Sequence, residues 1–277
     1  MQQLNELENT GLGTVAAFVE CVTLQPTLYW KNAAQQGLPF NADPRVVYRG
    51  LGAALFSEMG QMGLQFGLTG LMQRLIMGDD QGKRKMSIAE ECSSALLGGA
   101  IAALYTSPVE LVMIQQQRYG GTLLGVPSQV IAKHGITTGL MRGLAPAMLR
   151  DGIYVGCLLG LTPVLQNQIC NSYPDMSKTQ AGAYASTVGG VIGGVMSCPF
   201  DAVKTCMQGD VARAEYGGFA STVSTLASRG VGSLFGGVMW RTINITFTIL
   251  ITNECCNQIG PIMFPSKFKT SAEPEMN

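Results

Sequence analysis

The chain has 277 residues, long enough for a sizeable core, yet only 13% of them are charged, against roughly 25% in an ordinary soluble domain. Basic and acidic residues balance at 18 each, so nothing in the net charge points to nucleic acid as a partner. With 35 glycines, 15 methionines and a mean hydropathy of only +0.22, the chain fits neither a soluble domain nor helices that face lipid all round. It fits helices with one face to lipid and the other to a polar interior. A soluble helical solenoid would carry many more charges.

The first stretch, Met1 to Thr10, holds Glu6 and Glu8 and no basic residue, unlike a signal or Arg-rich transit peptide. Helices are then expected over about 11–36, 51–77, 88–118, 143–170, 178–208 and 237–262. The charge-free runs Cys92–Val109, Gly152–Pro174 and Thr179–Phe200 carry the strongest span signal. The first helix contains Glu20, and the first and last are weak on hydropathy, so a five-span or re-entrant arrangement stays open. Small residues at spacings of four, among them Gly98 and Ala102, Gly182 and Ser186, and Gly189 and Gly193, predict close helix packing. Lys and Arg divide evenly between the two sides and set no orientation. The tail from Lys267 to Asn277 is polar and reads as disordered. The eight cysteines form no CxxC pair and read as small buried hydrophobes, with no metal site. The single histidine, His134, precedes Gly135 at the end of a surface helix. No HExxH, P-loop, nucleophile-elbow or dinucleotide motif suggests an enzyme, a catalytic residue or a cofactor.

Repetition is the most informative feature. Three segments align, Pro26-Thr-Leu-Tyr-Trp-Lys31, Pro108-Val-Glu-Leu-Val-Met113 and Pro199-Phe-Asp-Ala-Val-Lys204, each towards the end of an odd-numbered long helix. A glutamine follows nine residues after each proline: Gln35, Gln117 and Gln208. Downstream come Tyr48-Arg49-Gly50, Met141-Arg142-Gly143 and the weaker Phe235-Gly236-Gly237. Proline removes an intrahelical hydrogen bond and kinks the helix. The positions two, five and nine residues after it share one helix face. An acid, a base and an amide are therefore stacked past each kink, and three such faces about a pseudo-threefold axis can close a pore with ion pairs.

These motifs resemble the mitochondrial carrier family over nearly the whole chain, from about Gly11 to Ile262. The resemblance implies an all-α membrane protein in which six tilted transmembrane helices form three pseudo-symmetric repeats (1–80, 81–175 and 176–277) around a central cavity. It also implies a matrix-side gate of ion pairs on the odd helices, a cytoplasmic-side network on the even ones, and alternating access for one small-molecule solute at a time, as in an antiporter. The location implied is the mitochondrial inner membrane, with anionic lipid at helix N-termini and the protein a monomer or a subunit of a membrane complex.

The departures from the family pattern are coordinated. Leu28 stands where the acid of repeat one belongs and Met113 where the base of repeat two belongs. In the family those two positions pair. An ionic contact is thus replaced by an apolar one, and no charge is orphaned, a change that can be neutral in energy. The implied pairs that remain are Glu110 with Lys204 and Asp201 with Lys31. The opposite gate is degraded: Thr69–Gln73, Thr162–Gln166 and the out-of-register Glu254 supply no ion network. Pro26 to Gly50 is also shorter than Pro108 to Gly143, leaving little room for a surface helix in the first repeat.

The family places substrate contacts mid-membrane on the even helices. Here those positions are Ser57, Arg150 and Asn244, with Glu58, Asp151, Gln61 and Arg241 beside them. Charged groups inside a span usually face a watery cavity or a partner. Arg150 is expected to hold a solute carboxylate through its planar fork, and Asp151 or Glu58 an amine. An acidic residue after the arginine resembles the amino-acid carriers. A structural Arg150–Asp151 pair is the alternative, and a carrier-fold protein that no longer transports is the alternative function.

Overall fold

The computed structural model describes residues 6–78 and 86–263, so the expectation for the tail falls outside the described residues. The described residues contain no strand. Long helices run over Glu6–Gln35 (α1), Leu51–Met77 (α3), Ile88–Tyr119 (α4), Lys178–Gly209 (α8) and Val238–Met263 (α10). The sixth long rod combines Leu144–Val155 (α6), a widened π-helical stretch Gly156–Leu161 and Thr162–Ser172 (α7). Short helices Pro44–Val47 (α2), Gly125–His134 (α5) and Phe219–Ser228 (α9) lie between the members of each helix pair.

The rod over 144–172 corrects the expected single regular helix. Pro163 sits in the first turn of α7 and has no N–H for the carbonyl four residues earlier, while Gly156 and Gly160 loosen the backbone before it. The helix widens there by one residue per turn. Capping boxes start the second and third repeats. Ser87 and Glu90 exchange hydrogen bonds at the head of α4, and Ser177 and Gln180 do so at the head of α8. In the first connection the surface helix is a single four-residue turn, Pro44–Val47, where the other repeats have ten residues each.

The long helices close into a ring. α1 packs on α3, α3 on α4, α4 on α6, α6 and α7 on α8, α8 on α10, and α10 back on α1. Small residues let the backbones meet. A Cβ added at Gly98 would sit 2.7 Å from the Thr69 nitrogen, and one at Gly99 would sit 2.7 Å from the Asp151 carbonyl. The outer surface is apolar: Tyr184, Val188, Ile192 and Met196 form an exposed i, i+4 stripe along α8. Such a stripe suits lipid rather than water.

Among the described residues, three helices meet the length and composition of a membrane span on their own: Ile88–Tyr119, Leu144–Ser172 and Val231–Ile251. This corrects the ranking from charge counting alone. The last helix qualifies, although charge counting placed it among the weaker segments.

The ring is pinned by a threefold interlock. Gly50, Gly143 and Gly237 open the even-numbered rods with φ of 82°, 81° and 73°. Each presses on an odd helix at the fifth position after its proline. A Cβ on Gly50 would meet the Met113 carbonyl at 3.0 Å, one on Gly143 the Lys204 carbonyl at 3.4 Å, and one on Gly237 the Lys31 carbonyl at 2.8 Å. Glycine alone combines the left-handed backbone with that close approach. Arg142 adds a clamp, donating from Nε to the Met207 carbonyl at 2.6 Å and from Nη2 to the Tyr216 carbonyl.

Candidate functional site

The three proline motifs lie inside α1, α4 and α8, and their charged positions converge on the ring's interior. Lys31 Nζ is 2.9 Å from Asp201 Oδ2, and Lys204 Nζ is 2.8 Å from Glu110 Oε2. Leu28 packs against an apolar cluster that contains Met113, Leu111, Ala53 and Ala54. Two of the three contacts between neighbouring odd helices are therefore ionic and the third is apolar. The glutamines behave differently from one another. Gln35 Nε2 donates to Asp201 Oδ2 at 2.7 Å, on an ion pair. Gln117 Oε1 instead accepts from Asn32 at 2.8 Å, and Gln208 Nε2 donates to the Ser107 carbonyl at 3.0 Å. Only Gln35 braces a pair; the other two tie helix to helix beside the pairs.

The sequence treated Arg150 as a substrate ligand separate from this network. The structure merges the two. Arg150 grips Glu110 with Nη1 to Oε1 at 2.7 Å and Nη2 to Oε2 at 3.0 Å. It also reaches Asp151 Oδ1 through Nη2 at 2.6 Å, and Asp201 Oδ1 through Nη1 at 3.4 Å. Thr106 donates to the other Asp151 oxygen at 3.1 Å. Arg241 joins from α10, with Nη1 3.0 Å from Asp201 Oδ2, Nη2 2.8 Å from the Ser197 hydroxyl and Nε 3.1 Å from the Gly194 carbonyl. Asp201 is fully buried, and Lys204 and Arg150 are 1% and 6% exposed. Desolvation on this scale is tolerable only because every charge is paired and hydrogen-bonded.

A cavity of about 220 Å³ opens above the network. Arg150, Asp151, Glu58, Gln61, Asn244 and Arg241 line it, as do Lys31, Glu110 and Leu28. Asn244 also donates to the Thr27 hydroxyl at 2.9 Å. Ser57 is buried at 3% exposure and is not among the lining residues. The helix register turns Glu58 inward and leaves Ser57 between helices. Glu20, Gln65, Tyr154 and Thr248 line the cavity too and were missed as site residues. Glu20 had a signal: it precedes Lys31 by eleven residues, close to three helical turns, and so shares its face. Among the described residues no group of His, Cys, Asp and Glu has the arrangement of a metal site.

Outside the bundle core, Asp210 follows α8 and organises the third connection. Its carboxylate accepts from the backbone N–H groups of Ala214, Glu215 and Tyr216 at 2.8 to 3.0 Å. Burial alone would push its pKa up, but these donors and the nearby Arg142 guanidinium outweigh burial and hold it below the usual aspartate range.

The mitochondrial carrier protein family pattern matches residues 84–172 and 176–258, more than half of the chain. Similar curated proteins include a mitochondrial glycine transporter of Saccharomyces cerevisiae, 28% identical over 210 residues, covering 71% of this chain and 68% of the relative. A mitochondrial 2-oxodicarboxylate carrier of the same yeast is 25% identical over 168 residues, covering 58% of this chain and 53% of the relative. A mitochondrial glutathione transporter of Xenopus tropicalis is 28% identical over 170 residues, covering 55% and 49%. The chain thus spans about half the length of the latter two. The all-helical ring, the repeated proline motifs and this match together define a membrane carrier. The chain belongs to the mitochondrial carrier family, whose members are transporters and not enzymes.

Proposed function

We propose that the protein moves a small metabolite, an amino acid or related carboxylate, across the mitochondrial inner membrane by alternating access. The observation that carries this reading is the cavity floored by the buried network of Glu110, Arg150, Asp201 and Lys204. A solute entering from the open side meets Arg150, Asp151, Glu58, Gln61, Asn244 and Arg241, while Lys31–Asp201, Lys204–Glu110 and the Leu28–Met113 contact close the matrix side. Arg150 lines the cavity and holds both Asp151 and Glu110, so the charge a solute brings into the cavity acts on the same arginine that holds a gate acid. Binding and gate opening are then linked in free energy through that arginine. The yeast glycine transporter among the relatives supports an amino-acid class of solute.

The test is uptake or exchange of labelled amino acids, keto acids and dicarboxylates by proteoliposomes of the full-length protein. At least one solute should enter, and Asn244→Leu, at the cavity wall, should slow its entry while costing the ligand-free protein only about 1 kcal/mol, the worth of the lost bond to Thr27. If no solute crosses, the second reading stands: a carrier fold serving as a structural subunit of a membrane complex. The observation favouring that reading is the reduced first connection, whose surface helix is a single four-residue turn, Pro44–Val47.

A further inference from the structure

The basic groups that face the cavity are already occupied by the protein's own acids. Arg150 directs its fork to Glu110 and Asp151. Arg241 is divided among Asp201, the Ser197 hydroxyl and the Gly194 carbonyl. Lys31 lies on Asp201, and beneath it Lys204 lies on Glu110. A solute carboxylate that entered would have to strip an arginine from a buried acid and leave that acid uncompensated, which is costly in a low-dielectric interior.

The upper wall has the opposite character. Glu20 on α1 and Glu58 on α3 line the same cavity, and among the described residues neither pairs with a basic side chain. Glu20 accepts a hydrogen bond from the Thr248 hydroxyl at 2.7 Å, a neutral partner. The α3 register places Glu58, Gln61 and Gln65 along one lining face, adding amide oxygens as further acceptors. Counting wall and floor together, acids (Glu20, Glu58, Glu110, Asp151, Asp201) outnumber bases (Lys31, Arg150, Lys204, Arg241) by one; the floor alone holds four bases to three acids, so the acidic excess lies entirely in Glu20 and Glu58 on the wall.

We infer that the cavity takes a solute bearing a cationic amine, held by Glu20 and Glu58, and selects net cations such as diamines and dibasic amino acids over zwitterions and dicarboxylates. An ammonium group satisfies both acids through charge-assisted hydrogen bonds and leaves the floor intact. The inference rests on reading the cavity as the solute site of a transporter, and it narrows the amino-acid class to its basic members.

The experiment is thermal unfolding of the full-length protein in detergent at fixed ionic strength, with 1,4-diaminobutane, lysine, alanine or succinate, alongside uptake of labelled lysine by proteoliposomes. Diaminobutane and lysine should raise the unfolding temperature at millimolar concentration; alanine should do so weakly and succinate not at all. Glu58→Gln and Glu20→Gln should each weaken the apparent lysine affinity by about tenfold or more, the loss expected when a charged hydrogen-bond partner is neutralised. If neither cation stabilises the protein, or if succinate stabilises wild type and Glu58→Gln alike, the inference is overturned. Stabilisation by lysine without uptake of any solute would support the charge assignment and remove the transport reading. Uptake of succinate or alanine unaffected by Glu58→Gln would do the reverse.

Discussion

The two ends of the helix ring are built on different principles. At one end the last turns of α1, α4 and α8 converge, and α8 is buried without a break from Asp201 to Gly209. A helix buried all round is core, and here that core includes the charged side chains of Asp201 and Lys204. At the other end α7 buries only Thr162. The contrast teaches where the molecule can change shape. Breaking the first end means separating partnered charges in a dry interior, whereas the second is held by close backbone approaches such as Gly98 on Thr69 and Gly189 on Thr162. Those contacts can slide without orphaning a polar group.

Substitutions at the two ends should therefore differ in effect. The largest is expected for Arg150→Ala, which leaves Asp151 and Glu110 short of a partner inside the ring. A loss of about 3–5 kcal/mol in unfolding free energy is expected, read by denaturant titration in detergent. Next is the apolar contact. Leu28→Glu introduces an unpaired acid and should cost about 3 kcal/mol, and adding Met113→Lys should restore most of it. A double-mutant cycle with coupling below about 0.5 kcal/mol would break the pairing of those two positions.

The glycine interlock predicts a smaller, ranked effect. Gly237→Ala and Gly50→Ala each force a left-handed residue, at about 1–2 kcal/mol. Gly237 should lose more, because its added Cβ meets Lys31 at 2.8 Å against 3.0 Å for Gly50 on Met113. Equal losses would show that the contacts relax freely. Asp210→Asn should cost about 1 kcal/mol through weakened acceptance from three backbone donors. Because the folded carboxyl titrates below the ordinary aspartate value of 3.8, its stabilisation is present above that pH and is lost as pH falls through the lower folded value. The acid limb of a stability–pH curve should flatten in the variant. Smallest of all, Gln166→Ala at the loosely held end removes an exposed bond to the Lys178 carbonyl and should stay within about 0.5 kcal/mol.

Much of the fold was legible because its constraints are local. A proline inside an apolar helix, a base five residues on and a glutamine four further fix a single face, and Gly50, Gly143 and Gly237 mark where each even-numbered rod must begin. The placement of Arg150 was not legible. Its spacing along α6 puts it in the interior, but whether its fork turns to a solute or to Glu110 depends on the distance between α6 and α4, which no periodicity encodes. Glu20 shares the Lys31 face by spacing, but one acid in an apolar run looks the same whether it faces a neighbour or a cavity. Ser57 shows the converse. Counting from Gly50 reached the right turn of α3 but the wrong side of it, and one residue of register separates a lining glutamate from a buried serine.

Hydrogen–deuterium exchange of the full-length protein in nanodiscs tests the contrast between the ends most directly, because opening free energy is read region by region. Amides of 29–35, 111–117 and 202–208 should exchange far more slowly than those of 69–77, 162–172 and 244–251. Equal protection at the two ends, or faster exchange at the ion-paired end, would contradict the account.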